Sequence, residues 1–168
     1  ESFPIPCETI IADAGSENLQ LREAALEALK TCHGEDVRTL AFKQLSEKEY
    51  TAHAICMLIT NYRKSDKEAL LKLLYCLPVT YSDASGWHGV MRHILWAFEQ
   101  RECQSYPREF LYYIYQNSLC AGCREEAVKQ LVQEKGLTSE MMSECRYDSN
   151  ENIRKYIAHI QKVKKDNE

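Results

Sequence analysis

The chain has 168 residues, 45% of them hydrophobic and 27% charged, with a formal net charge of −4 and a pI near 5.8. Such a balance describes one folded domain with a sizeable core rather than a disordered chain. The acidic balance disfavours the broad cationic footprint of non-specific nucleic-acid binding, and no run approaches the roughly 20 apolar residues of a membrane span.

Phe3-Pro4-Ile5-Pro6 opens the chain, and the two prolines work against a regular helix there. An extended segment is therefore expected over 1–15, with a helical domain over 16–165. Period-3.6 patterning predicts nine helices in that domain. The first spans 17–32, with Leu21, Ala25, Leu26 and Leu29 on one face, and stops before Gly34. The second spans 35–45, with Val37, Leu40, Ala41 and Leu45. The third (47–62) and fourth (66–77) each follow a capping-box pattern, Ser46-x-x-Glu49 and Ser65-x-x-Glu68. Residues 78–86 form a long connection rich in turn formers. The fifth helix (87–100) carries Val90, Ile94, Leu95 and Phe98, and the sixth starts at Pro107, a favoured first-turn position. The seventh (121–135) ends at Gly136, the eighth spans 138–146 and the ninth 150–164. No stretch alternates as a strand would, so the fold class is all-α.

The odd-numbered helices share a register. Ala25, Leu26 and Leu29 follow Arg22 at +3, +4 and +7, and Ala127, Val128 and Leu131 follow Arg124 at the same offsets. Looser echoes follow Thr51, Arg92 and Arg154. Residues Asp148, Ser118 and Ser16 each stand six positions before an arginine: Arg154, Arg124 and Arg22 respectively. In spacing and register the chain resembles the HEAT-like family of helical-repeat proteins and its armadillo relatives. The resemblance implies a right-handed α-α superhelix of four to five stacked helical pairs, a solenoid. It also implies a structural ladder through Arg22, Arg92, Arg124, Asp148 and Arg154. The second helix of each pair (35–45, 66–77, 107–118 and 138–146) would line a concave binding face.

Eight cysteines invite a disulfide reading, yet Cys32, Cys56, Cys76 and Cys145 fall within apolar helical stripes, as small buried hydrophobes do. Reduced thiols in a cytoplasmic setting are expected. Because the chain opens on Glu1, an anchor or further domain upstream of residue 1 stays open. Cys120-Ala121-Gly122-Cys123 is a weak redox or metal candidate, since a helix N-terminus and Arg124 would favour a thiolate. A thioredoxin-like motif, however, belongs after a strand, and zinc would need a second pair. His88 and His93 lie five apart and so point in different directions on a helix.

Tyr112 and Tyr115 on the sixth helix, with Trp87 and Tyr75, are amphipathic aromatics suited to a protein-binding surface, although packing between repeats would account for them equally well. No phosphate loop, nucleophile elbow or dinucleotide fingerprint is present. The expected function is thus a non-catalytic scaffold that binds a protein or peptide, with no cofactor or metal. One alternative is an alkyl-base glycosylase-like DNA protein of the same family, which would need an exposed Trp among Lys43, Lys72, Arg108 and Lys129. The other is a thiol or metal regulator using Cys120 and Cys123.

Overall fold

The computed structural model describes residues 7–48, 50–76, 84–100 and 106–166. Every regular element among them is helical: α1 (Cys7–Asp13), α2 (Leu19–Leu29), α3 (Glu35–Glu47), α4 (Thr51–Thr60), α5 (Lys67–Cys76), α6 (Ala84–Glu99), α7 (Glu109–Asn117), α8 (Ala121–Gln133), α9 (Ser139–Cys145) and α10 (Glu151–Asp166). A single 3-10 turn, Lys64–Asp66, leads into α5. No strand occurs among the described residues, and no helix is long and apolar enough to cross a membrane.

The contacts group into two compact units, Glu1–Ser105 and Tyr106–Glu168, where one repeat domain over 16–165 was expected. In the first unit α1 packs on α2 and α3, α2 and α3 each pack on α4, and α4 packs on α6. Helix α4 sits among these neighbours and is buried continuously from Ala54 to Thr60. Its sequence is accordingly apolar on every side rather than on one stripe. In the second unit α7 packs on α8, while α8 and α9 pack on α10. Val128, Cys145, Ile153 and Ile157 form a fully buried cluster there.

Helix α1 lies inside the segment read as extended. Both prolines precede it, so the helix begins where the chain is free of them, and Ile10 anchors it in the core. This additional helix shifts the pairing by one. The closely packed neighbours are α1–α2, α3–α4, α7–α8 and α9–α10, so 35–45, 107–118 and 138–146 each come first in their pair.

Caps differ in similar ways. Ser46 remains inside α3, where its hydroxyl donates to Lys43 O (2.6 Å), and Tyr50, with φ 46°, takes the N-cap of α4; Glu49 lies outside the described residues. Asp66, rather than the Ser65–Glu68 box, serves the start of the turn before α5, accepting from Arg63 N at 3.0 Å. Helix α6 starts three residues earlier than read, at Ala84. At the end of α8 the left-handed residue is Lys135 (φ 52°), one before the expected stop at Gly136.

Candidate functional site

Arg22, Arg124 and Arg154 are each the fourth residue of their helix: α2, α8 and α10. A helical side chain leans towards its own N-terminus, so an arginine placed one turn in reaches the preceding loop. That loop is built alike three times. Ser16, Ser118 and Asp148 each accept the backbone N–H two residues on, from Asn18 (3.2 Å), Cys120 (3.2 Å) and Asn150 (2.7 Å). Arg22 Nε then donates to Ser16 O at 2.8 Å, and Arg154 Nη1 to Asp148 O at 2.6 Å.

Arg124 makes a different choice. Its Nε and Nη2 donate to the two carboxylate oxygens of Asp148, at 2.9 and 2.8 Å, tying the start of α8 to the loop before α10. The Asp148–Arg154 pair read from sequence therefore meets through the aspartate carbonyl, while its carboxylate serves the helix two elements earlier. Burial pushes the Asp148 carboxyl up, but the Arg124 hydrogen bonds, the Asn150 N–H and the two arginine charges together outweigh it and hold the group below the usual carboxylate range.

The first unit contains a second such bridge that the sequence reading missed. Arg38, fourth in α3 and 5% exposed, donates to Asp66 Oδ2 (2.8 Å) and Oδ1 (3.3 Å) just before α5, and also to Asn61 O (2.6 Å). The signal was available as an arginine four after Gly34, but it lies outside the odd-helix register. Arg92 departs from the expected ladder: it is the ninth residue of α6, exposed, and forms no ion pair among the described residues.

Between α2, α4 and α6 runs a trough of about 230 Å³. Gly86 and Gly89 of α6 face Ala52 and Cys56 of α4 across it, and Glu27, Lys30 and His53 stand around it. A Cβ built on Gly89 meets nothing within 4 Å, so that mid-helix glycine leaves open space rather than permitting a tight contact. Glu27 pairs with Lys30 and holds a carboxylate oxygen 3.5 Å from His53 Nε2. Burial, then the Lys30 charge, pushes the His53 pKa down despite Glu27.

Deeper in the same unit, the Thr60 hydroxyl donates to Lys30 O and lies 2.8 Å from His93 Nε2. Burial, reinforced by Lys30, lowers the His93 pKa to about 4, and burial raises the Cys56 thiol to about 12. Both are consequently neutral near pH 7. A carboxylate, an ammonium and an imidazole thus stand around a partly apolar trough.

The aromatic surface read from sequence is largely structural. Trp87 is 6% exposed and belongs to the core. Tyr112 is half-buried and donates to Gly136 O at 2.8 Å. Tyr115, also half-buried, donates to Glu144 Oε2 at 2.8 Å and accepts a 3.7 Å contact from the Cys145 thiol; burial first, then these two partners, raises its pKa. Of the four, Tyr75 alone is well exposed, at 58%.

Cys120 is the N-cap of α8 and Cys123 its third residue, with their sulfurs within 4.8 Å as thiols. Cys32, Cys56 and Cys145 are buried, whereas Cys76 is exposed because its position at the end of α5 falls off the Leu70–Leu74 stripe. His88 is exposed and His93 buried, on different sides of α6. No family model, no curated protein and no solved structure matches the chain.

Proposed function

We propose that each unit is a short stack of helical hairpins of the HEAT-like kind, and that the protein is a non-catalytic scaffold that docks a protein or peptide. The observation that carries this reading is the trough. Its lining comes from α2, α4 and α6, helices that stack on one another through α4 and are the ones bearing the Arg22, Thr51 and Arg92 register. With the pairing shifted by one, α2 and α4 are second helices of their hairpins, the class to which the family resemblance assigns the binding face. Preformed helices lose little conformational freedom on docking, which suits a surface whose role is recognition. The neutral, deeply packed Cys56 and His93 suit packing better than proton transfer or nucleophilic attack.

The glycosylase-like alternative is less favoured, because Trp87 is buried and Lys129 pairs with Glu125 at 2.8 Å. The thiol alternative retains the proximity of Cys120 and Cys123, which a zinc analysis and a thiol count on the reduced and oxidised chain would test.

A peptide-display selection tests the scaffold reading. Peptides are selected on the native chain and rescreened on Gly89→Trp, which fills the trough where a side chain has room to start. Peptides retained by the native chain and lost by a variant of equal helicity support the reading. Peptides that bind both alike, or no peptide at all, refute it.

A further inference from the structure

Helix α8 begins with a pair of thiols. Cys120 is its N-cap, with extended backbone (φ −88°, ψ 114°), and Cys123 is its third residue. Side chains at those two positions face one another across the first turn, which is why a capping box uses them. The Cys120 side chain makes no cap hydrogen bond. Its sulfur lies 3.7 Å from where a Cβ on Gly122 would stand, and within 4.8 Å of the Cys123 sulfur.

The backbone of the pair is held in place. The Ser118 hydroxyl accepts the Cys120 N–H at 3.2 Å and donates to the Cys120 carbonyl at 3.1 Å, while Cys123 is fixed within the helix. Closing the sulfurs to a bond of about 2.05 Å is therefore mostly a matter of side-chain rotation. The two thiols also differ in access. Cys120 is half-buried, whereas Cys123 is 1% exposed and belongs to the core. A molecule arriving from solvent meets the first sulfur and not the second. Thiol–disulfide exchange needs just that combination, one sulfur within reach of the reagent and another within reach of the first.

We propose that Cys120 and Cys123 form a reversible disulfide by exchange with a small-molecule disulfide, Cys120 attacking and Cys123 resolving. The Cys120 thiol gives up its proton and its sulfur attacks one sulfur of R–S–S–R. That S–S bond breaks, and one thiolate leaves and takes up the proton. The Cys123 sulfur, losing its own proton, then attacks the Cys120 sulfur and expels the second thiolate, which is protonated in turn. Two cysteine thiols are oxidised to one disulfide, and one small disulfide is reduced to two thiols. Reduction runs in reverse: an outside thiolate attacks the Cys120 sulfur and expels Cys123. The assignment is independent of the docking reading, and goes beyond the closeness of the two thiols by fixing the order of attack.

Glutathione disulfide, added to the full folded chain, tests it. Trypsin releases both cysteines in one peptide, 109–124, which holds no other cysteine. After acid quenching and alkylation, that peptide should lack two hydrogens and carry no label. The internal disulfide should exceed the glutathione adduct about tenfold or more at about 0.1 mM reduced glutathione, since a sulfur on a short tether acts at millimolar effective concentration. Cys123→Ala should stop at the first step and accumulate the adduct on Cys120. Cys120→Ala should take the adduct on Cys123 at least about tenfold more slowly, because a buried thiol is inert. Circular dichroism establishes equal helicity of the three chains beforehand.

An internal disulfide that forms only in urea would overturn the proposal. So would an adduct on Cys123 in Cys120→Ala that forms as fast as the one on Cys120 in Cys123→Ala. If a variant does not fold, the native chain decides: a 109–124 peptide that stays fully labelled, or holds as much adduct as internal disulfide, refutes the exchange. None of these outcomes bears on peptide selection at the Gly89 trough, so the two readings stand or fall separately.

Discussion

Replacing Asp66 by Asn should be among the most damaging near-isosteric changes in the chain. The Arg38 and Asp66 side chains are 6% and 12% exposed and meet through two hydrogen bonds. Removing one member of a buried pair costs about 3–5 kcal/mol, because the remaining charge is stranded. Here Arg38 keeps the Asn61 carbonyl at 2.6 Å and the Phe42 ring at 5.4 Å from its guanidinium carbon, which places the expected loss at the lower end, about 3 kcal/mol. Arg38→Met in the same background removes the stranded charge, and the double variant should recover at least about 1.5 kcal/mol of that loss.

Urea unfolding followed by tryptophan fluorescence is the assay, since Trp87 and Trp96 both belong to the unit that holds the pair. The folded-state pKa of Asp66 is depressed, since its bonds from Arg38, the Arg63 N–H and Ser65 together outweigh burial. Its stabilisation is therefore complete above the unfolded value near 3.9 and fades as pH falls through the lower folded value, an acid slope that Asp66→Asn should flatten. A loss under about 1 kcal/mol, the range of exposed pairs, would show that this bridge does not bind α3 to the turn before α5. Strict additivity of the two substitutions would show the same.

His93 predicts a second acid sensitivity. Its pKa falls from 6.5 to about 4 on folding, so stability is full above pH 6.5 and should decline by about 3 kcal/mol as pH drops to 4, a slope that His93→Gln should remove in urea titrations across that range. Two glycine-to-alanine changes should act in opposite directions on the melting temperature. Gly34→Ala places a Cβ at φ 149° and should cost more than about 1 kcal/mol, whereas Gly89→Ala, inside α6 with nothing near its Cβ, should add about 1 kcal/mol through helix propensity. Tyr112→Phe should lose about 1 kcal/mol by giving up the bond to Gly136 O, and an unchanged melting temperature would return that ring to the list of surface aromatics.

Helix existence and the repeated register were legible because they rest on apolar spacing, and spacing survives in a one-dimensional string. Leu26, Leu29, Val128 and Leu131 all lie in the core where the pattern put them. Helix α1 was not legible, since two prolines obscured a seven-residue element whose only buried side chain is Ile10. Missing that helix put the pairing out of phase, because hairpin phase is counted from the first helix. The burial of the aromatic candidates was hidden for another reason: exposure of Trp87, Tyr112 and Tyr115 depends on what covers them, and Gly136 and Glu144 lie more than twenty residues from the tyrosines they bond. Likewise the trough is a space between elements, and no local pattern encodes a space.

The four fourth-position arginines show how one local rule produces two outcomes. Each guanidinium leans back over the first turn of its helix towards the loop that leads into it, and Arg38 and Arg124 also reach the segment before the helix two elements on. Arg22 and Arg154 end on the carbonyl of their own loop. Arg38 and Arg124 end on Asp66 and Asp148, where the later loop offers a carboxylate. A charge-assisted, two-pronged bond is roughly twice as strong as a neutral one, so an available aspartate captures the arginine. Both bridges therefore need the aspartate as well as the arginine. For that reason the arginine positions marked helices and did not by themselves mark which loops are cross-linked.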